Sequence, residues 1–226
     1  RETSRIRAGE SVVIKAPTNN EGVFVYNLVE VAYQSGVGCS NNPLGLSATV
    51  TVLGPPSATI SGDATVCQNA SPSPNITITN PEPLPVTVSY TSNGVPANIN
   101  IQANSTAILP VNTTTPGSFV YSLTSIQYSN APGCPATISG TATVVVLPTP
   151  AATISGTTSV CQGAGTMPVV SIGNPQTAAI TVTYSINGTI QPAVNIAGSG
   201  SYSIQAPTGT AGTFNYVLET VTYQGI

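Results

Sequence analysis

The same stretch of sequence occurs more than once in this chain, at a step of 94 or 95 residues. Residues 64–68, which include Cys67, return as residues 158–162, which include Cys161, and Cys39 stands 95 residues before Cys134. Internal repetition of this kind is a better guide to domain number than length. We therefore predict the C-terminal part of a first repeat at residues 1–54, a complete repeat at 55–147 and the N-terminal part of a third at 148–226.

Alternating apolar residues predict β-strands in every copy. Residues 23–28, 118–123 and 213–218 each place an aromatic residue, a tyrosine and a leucine at alternate positions, so these side chains share one face of a strand. After each leucine the apolar phase slips by one residue, which indicates a β-bulge built into the fold. Matching closing strands are predicted at residues 47–52 and 141–146.

Further strands and hairpins complete the predicted unit. Asn93-Gly94 and Asn187-Gly188 each follow an alternating run, at residues 86–90 and 180–184, and Asn-Gly in that setting is a strong hairpin signal. Additional strands are predicted around Ile6, Ile14, Ile101, Leu109, Ile196 and Ile204. With roughly seven short strands per repeat and no helical stripe, we predict an all-β chain of tandem immunoglobulin-like β-sandwich repeats, each about 95 residues long.

The composition removes several classes of function. Only 5% of residues are charged, there is no histidine, and all four cations lie within the first fifteen residues. Nucleic-acid binding, which relies on clustered lysine and arginine, is therefore not expected. The complete repeat holds only two carboxylates, Asp63 and Glu82, so we predict no enzyme, no catalytic residues, no cofactor and no metal site. No apolar run is long enough for a membrane helix, and we expect no membrane insertion.

The cysteines predict disulfide bonds rather than a metal site, because no histidine and no Cys-x-x-Cys pair accompanies them. Within the complete repeat we predict a bond between Cys67 and Cys134. Closing that loop would contribute about 4 kcal/mol in the chain-entropy model. By register, Cys39 is expected to pair with a residue before Arg1, and Cys161 with one after Ile226. Such bonds imply an oxidising compartment outside the cytosol.

The joints between repeats are short and rich in proline. Residues 53–56 read Leu-Gly-Pro-Pro, and residues 147–150 read Leu-Pro-Thr-Pro. Proline fixes φ and removes a backbone donor, so these joints predict a semi-rigid, extended arrangement of neighbouring repeats. The joints carry no acidic cluster for calcium, and the predicted rigidity is therefore independent of that ion.

Three tyrosines recur at the end of the bulged strand: Tyr33, Tyr128 and Tyr223. Aromatic residues at strand ends can stack on sugars or contact a partner, which makes these three candidate ligand contacts. The competing interpretation, favoured at such in-phase positions, is that they close the core.

The phrase Ala-Thr-Ile-Ser-Gly at residues 58–62 and 152–156, followed by Val-Cys-Gln, a Phe-x-Tyr-x-Leu strand and a Gly-Cys pair, resembles a known type of repeat. It is similar to the PKD-like or immunoglobulin-like repeats of giant, SprB-like cell-surface adhesins of gliding Gram-negative bacteria. The resemblance covers the whole chain. It implies a very long protein, exported by the type IX secretion system and displayed as a surface filament.

These observations lead to one main functional hypothesis and two alternatives. The main hypothesis is an extracellular segment of a long adhesin, acting as a semi-rigid stalk, as a distributed adhesive surface, or as both. Its partners would be neighbouring repeats and a surface polysaccharide or abiotic surface. The first alternative is a polysaccharide- or glycan-binding module that uses the strand-end tyrosines. The second is a self-associating surface-layer or filament subunit, which the low charge favours.

Overall fold

The structure, a computed structural model, describes residues 2–33, 38–42, 45–130 and 134–225, and all regular structure in these residues is β-strand. In this described part of the chain there is no helix with the length and apolarity needed to cross a membrane. We call residues 1–54, 55–147 and 148–226 the first, second and third units.

The strands of the first unit are β1 (Gly22–Asn27), β2 (Val31–Ala32), β3 (Ser40–Asn41) and β4 (Ser47–Val52). Those of the second unit are β5 (Thr59–Ser61), β6 (Ala64–Cys67), β7 (Asn75–Asn80), β8 (Val86–Ser92), β9 (Val95–Ile101), β10 (Ser105–Pro110), β11 (Gly117–Tyr128), β12 (Ala136–Thr137) and β13 (Thr141–Leu147). Those of the third unit are β14 (Thr153–Ser155), β15 (Val169–Gly173), β16 (Ile180–Ile186), β17 (Thr189–Ile190), β18 (Val194–Ile196), β19 (Ser201–Gln205) and β20 (Tyr216–Tyr223).

The second unit is a sandwich of two sheets. One sheet has the order β10-β7-β5, and the other has the order β6-β13-β11-β8-β9, with β12 added beside β11. Every neighbouring pair is antiparallel except β6 and β13, which run parallel. The alternating apolar residues of both sheets point inward, as the period of two requires.

The core of the second unit lies between these sheets. Ile78 of β7 packs in one cluster with Val88 of β8 and Ile126 of β11, all of them fully or almost fully buried. A second cluster joins Ile76 of β7 to Val144 of β13. Removing apolar side chains from water in this way is the dominant favourable term in folding. The predicted all-β sandwich is confirmed.

Two local predictions are also confirmed. In β11 the pairing with β8 shifts between Leu123 and Ser125, which leaves Thr124 as the extra residue of a bulge. The third unit repeats this shift, because Thr183 pairs with Thr220 while Tyr184 pairs with Leu218. The Asn-Gly turns also form as predicted. Both residues have positive φ at each turn, as the tight hairpin connection requires: Asn93 (49°), Gly94 (80°), Asn187 (47°) and Gly188 (80°).

The strand count of the second unit differs from the prediction, with nine strands among its described residues instead of about seven. One reason is that the first strand is split into β5 and β6, which belong to different sheets. The chain crosses between the sheets at Gly62, where φ is +119° and a Cβ would collide with the Asn75 carbonyl oxygen. Only glycine fits such a position, and Gly156 repeats it in the third unit.

The first unit departs most from expectation. The strands predicted around Ile6 and Ile14 do not form, and both side chains are exposed. Within residues 2–33, 38–42 and 45–54, the strands pair only as β1 with β4 and β2 with β3. A strand requires a partner for its backbone groups and a second layer for its apolar face. The described residues of the first unit provide neither for the segment that precedes β1.

Candidate functional site: the joints between units

The second joint, at residues 147–152, is bound by the third unit at several points. Leu147 packs against the cluster formed by Ile180, Val182 and Tyr223. The hydroxyl of Tyr223 donates a hydrogen bond of 2.9 Å to the carbonyl oxygen of Pro148. The end of β13 and the segment that follows it are therefore held by both a side-chain contact and a polar contact.

Gln176 binds the same joint through both ends of its side-chain amide. Its Nε2 donates to the Thr149 carbonyl oxygen at 3.0 Å, and its Oε1 accepts from the Ala151 N–H at 3.0 Å. These two bonds replace pairing that proline prevents, because Pro148 and Pro150 have no N–H to donate. A short linker bound at three points has little freedom to bend.

The first joint, at residues 53–58, repeats this arrangement with a carboxylate. Leu53 packs against the core cluster of the second unit. Glu82 occupies the position of Gln176, and its Oε1 accepts from both the N–H (2.9 Å) and the Oγ (2.7 Å) of Ser57. Hydrogen bonds to an ionised acceptor are stronger than neutral ones. In each joint the linker is bound by the unit that follows it.

A buried asparagine positions each of these joint residues. The Asn80 side chain is fully buried, and its Nδ2 lies 2.8 to 3.3 Å from the carbonyl oxygens of Leu84, Ile101 and Gln102. Its Oδ1 accepts from the N–H of Glu82 at 2.9 Å. Because every polar atom of this amide is satisfied, its burial fixes the loop that carries Glu82.

The third unit repeats the asparagine as well. Asn174 is 3% exposed, and its Nδ2 lies 2.9 to 3.4 Å from the carbonyl oxygens of Ala178, Ile196 and Ala197. Its Oδ1 accepts from the Gln176 N–H at 3.0 Å. The sequence reasoning missed both residues. The available signal was an Asn-Pro pair recurring at the repeat step, at residues 80–81 and 174–175.

The three candidate tyrosines do not share one environment. Tyr128 is 5% exposed and Tyr223 is 8% exposed, and both belong to core clusters, whereas Tyr33 is 77% exposed. The Tyr128 hydroxyl lies 3.4 Å from Glu82 Oε2. A buried ring has no free face for a sugar, so the placement of Tyr128 and Tyr223 favours the core-closing interpretation.

The same burial controls the ionisation of the two joint tyrosines. Burial raises the pKa of the Tyr128 phenol above its ordinary value of 10.0, and the charge of Glu82 adds to the rise, with smaller additions from Cys134 and from Glu21 of the first unit. Burial likewise raises the pKa of Tyr223, and Cys67 of the second unit adds to that rise. Each rise in pKa therefore includes a contribution from a residue of the preceding unit.

The disulfide predicted between Cys67 and Cys134 is not found. Cys67 has a free, half-buried thiol and packs against the core of the third unit, whereas Cys134 packs against the core of the second unit beside Tyr128. The two positions lie at opposite ends of β11. Gly117 at one end pairs with Val146, next to the Cys67 partner Leu147, and Tyr128 is the other end. A strand of 12 residues spans roughly 35 Å, far more than the approximately 7 Å that a disulfide allows between Cα atoms.

The cysteines of the first and third units, Cys39 and Cys161, are exposed. Partners outside the chain, as predicted for them, remain a prediction. Among the described residues, no three side chains of the His, Cys, Asp and Glu types gather as a metal site would require.

A groove of about 530 Å³ opens in the third unit. Its apolar lining corresponds at the repeat step to side chains that enclose β13 in the second unit. The lining residues Ile154, Val160, Val170, Ala206, Phe214 and Tyr216 match Ile60, Val66, Ile76, Val111, Phe119 and Tyr121. In the second unit these positions belong to one packed cluster with Ala142, Val144 and Val146 of β13. The groove thus has the shape and chemistry of a slot for a β-strand.

Comparison with known proteins adds little to this geometry. No protein-family model matches the chain. No curated protein matches it.

Solved structures resemble the chain at low identity. A 1.5-MDa bacterial ice-binding adhesin is 17% identical, over 75% of this chain and 64% of that one, with a TM-score of 0.38. A Ca²⁺-stabilised adhesin with which an Antarctic bacterium binds ice is 17% identical, over 83% and 54%, with a TM-score of 0.33. The SafA pilin of Salmonella enterica in complex with the SafB chaperone is 12% identical, over 72% and 96%, with a TM-score of 0.30. At these values the likeness carries no conclusion about function.

Proposed function

We propose that this chain is a non-enzymatic, extracellular segment of a long cell-surface adhesin, in which consecutive β-sandwich repeats form a semi-rigid stalk. The observation that carries the proposal is the repeated fixation of the joints. Glu82 and Gln176, in equivalent positions, each hydrogen-bond the linker that enters their unit. A chain that needed free hinges would have flexible, unbound linkers at these places.

The physical role of such a segment is to extend the parent protein away from the cell surface. Fixed joints place each unit at a constant angle to the next, so length grows with the number of units. The neighbouring repeats of the same chain are then the first partners of each unit. A stalk whose joints are stiff without bound calcium would serve this role at any calcium concentration.

We base the cellular setting of this stalk on the resemblance of residues 58–62 and 152–156 to SprB-like repeats. It assigns the parent filament to the surface of a gliding bacterium, with export by the type IX secretion system and a role in motility. We propose disulfide formation in that oxidising setting, and a repeat length of about 95 residues.

Small-angle scattering of the full chain tests the stalk proposal. A compact protein of 226 residues has a radius of gyration of roughly 17 Å. We expect a clearly larger value and an asymmetric distance distribution, unchanged by a calcium chelator. A value near 17 Å, or an increase in flexibility on chelation, would contradict the proposal.

An adhesive role of the repeats themselves would use Tyr33, which is the exposed one of the three candidate tyrosines and lies in the unit whose described strands have no opposite sheet. Folded chain would then bind polysaccharide or glass, and thermally unfolded chain would not. Replacement of Tyr33 by Ala should weaken binding at least tenfold, while the matched change Tyr26→Ala, on a half-buried ring of the same unit, should weaken it less. Equal loss in both variants would indicate damage to the unit rather than loss of a contact.

Self-association is the second candidate, and the strand-shaped groove favours it. The groove is lined by apolar residues, and the sequence of β4, which pairs with β1 along one edge, alternates as that of β13 does. Sedimentation equilibrium at rising concentration would then show dimers, and Val160→Lys in the groove should abolish them. Monomers at all concentrations would rule this candidate out.

A further inference from the structure

The two joints of this chain have the same arrangement of residues. The clusters around Tyr128 and Tyr223 are built from residues that correspond at the repeat step. Corresponding members are Leu53 and Leu147, Ala58 and Ala152, Ile78 and Ile172, Val86 and Ile180, Val88 and Val182, and Ile101 and Ile196. Each cluster thus includes a leucine from the end of the preceding unit and the core of the following one.

Each cluster also contains one cysteine, and the two cysteines come from different units. Cys134 packs beside Tyr128 and follows it in the same unit. Cys67 packs beside Tyr223 but belongs to the preceding unit. The counterpart of Cys134 in the third unit would stand at position 229, one repeat step after residue 134. If the first joint is superposed on the second, so that Tyr128 lies on Tyr223, Cys134 comes to the same tyrosine as Cys67.

We propose that, in an array of these units, Cys67 forms a disulfide bond with the Cys134-type cysteine of the following unit, so that one covalent bond closes each joint. This inference rests on the proposed function, because it requires consecutive repeats. It replaces the bond within a repeat, which the length of β11 prohibits, with a bond between repeats.

The location of Cys67 suits this role. It is the last residue of β6, where it pairs with Leu147, and the N–H of the next residue, Gln68, donates to the Leu147 carbonyl oxygen at 2.7 Å. The thiol is thereby carried to the point where the chain leaves the second unit. The electrostatic effects of Cys67 on Tyr223 and of Cys134 on Tyr128 agree with this placement, since both thiols lie near the equivalent phenol.

The bond would form by thiol–disulfide exchange. The thiolate of one cysteine attacks a disulfide of an oxidoreductase of the exported compartment, and the second thiolate displaces that protein from the mixed disulfide. One S–S bond forms in the joint and one is reduced in the oxidoreductase, which takes up the two electrons and the two protons.

The test extends the full chain so that it contains a complete joint. Residues 129–147 are repeated after Tyr223 in place of residues 224–226, which adds a second copy of Cys134 and of β13. The protein is exported to a bacterial periplasm, and its disulfides are mapped by peptide mass spectrometry without reduction. We expect a peptide that links Cys67 to the added cysteine, in most of the molecules.

Two matched variants identify the partner. Cys67→Ser should abolish the link, whereas Cys161→Ser should leave it intact, since Cys161 is the same type of cysteine in the last unit of the extended chain. A link between Cys161 and the added cysteine, or two free thiols at Cys67 and the added position, would overturn the inference. An elongated scattering profile without the link would overturn the inference alone and leave the stalk proposal standing.

A measurement on the unextended chain keeps the inference testable if the extended one fails to fold. Because Cys67 packs against the cluster that contains Tyr223, Tyr223→Ala should raise the rate of thiol labelling at Cys67 several-fold. The matched change Tyr128→Ala, at the other joint, should leave that rate unchanged. Equal rates at Cys67 in the two variants and the parent chain would show that Cys67 does not face the third unit, which contradicts the inference.

Discussion

The first and second units carry the same strand pattern and differ sharply in burial. Val31 is 54% exposed and its counterpart Ile126 is 1% exposed, while Tyr33 and Tyr128 differ in the same way. In the second unit β11 is covered by the sheet that contains β7, whereas β1 pairs only with β4. The alternating pattern therefore determines which side chains share one face of a strand. An opposite sheet determines whether that face is buried in a core.

The largest expected effect comes from one truncation made in both units. Leu123 is buried in the second unit, and its counterpart Leu28 is exposed in the first. Leu123→Ala should reduce the free energy of unfolding of the second unit by about 2 to 5 kcal/mol, because it leaves a cavity. Leu28→Ala should change stability by about 0.5 kcal/mol or less. Urea denaturation of the full chain measures both, and equal costs would contradict the comparison.

Removal of the buried asparagine should make the second unit lose its fixed loop. Asn80→Ala leaves three buried or part-buried carbonyl oxygens and one N–H without their partner, which should cost about 2 to 4 kcal/mol. The control is Asn112→Ala, where an exposed side chain accepts one hydrogen bond from the Thr114 N–H and where we expect about 0.5 kcal/mol. Thermal unfolding separates the two. A cost at Asn80 as small as that at Asn112 would show that this amide does not hold the joint.

Alkaline pH should distinguish buried from exposed tyrosines. The pKa values of Tyr128 and Tyr223 are raised in the folded chain, so both phenols keep their protons more strongly than in the unfolded chain. Their contribution is therefore fully present below pH 10, the unfolded value, and is lost as pH rises through the folded pKa values. Unfolding followed at increasing pH should show stability falling above pH 10, with a smaller slope in a Tyr128→Phe, Tyr223→Phe double variant. A slope unchanged in that variant would assign the effect to other groups.

The smallest expected effect concerns the joint itself. Gln176→Ala removes two hydrogen bonds between exposed groups at the second joint, so the third unit should lose only about 1 kcal/mol. Its larger consequence should be greater freedom of the linker. Gln162→Ala is the control, because that side chain donates a single bond to the Gly209 carbonyl oxygen away from the joint. Relaxation measurements of residues 148–152 would show increased motion in the first variant only.

Much of the fold followed from local chemistry in the sequence. The Asn93-Gly94 turn forms because both residues tolerate positive φ, and the bulge at Thr124 forms where the apolar phase slips. These features depend on a few neighbouring residues, which the sequence displays directly. The closing strands predicted at residues 47–52 and 141–146 were likewise visible as alternating runs, and they form as β4 and β13.

The features that sequence reasoning missed depend on distant parts of the chain. The parallel pairing of β6 with β13 joins residues about 80 positions apart and leaves no trace in alternation. The pairing of Cys67 with Cys134 was expected because both lie in one repeat, yet the spacing does not reveal that they lie at opposite ends of β11. The joint residue Glu82 was counted only as a carboxylate too isolated for catalysis, although its hydrogen bonds to Ser57 make it a structural contact.

The central claim is that each joint holds its two units in one fixed orientation. Residual dipolar couplings measured in a weakly aligned sample of the full chain test it directly. The account predicts that alignment tensors fitted separately to residues 55–147 and to residues 148–225 agree in magnitude and direction. A third-unit tensor that is strongly reduced, as independent motion about the Pro148–Pro150 segment would produce, would contradict the claim.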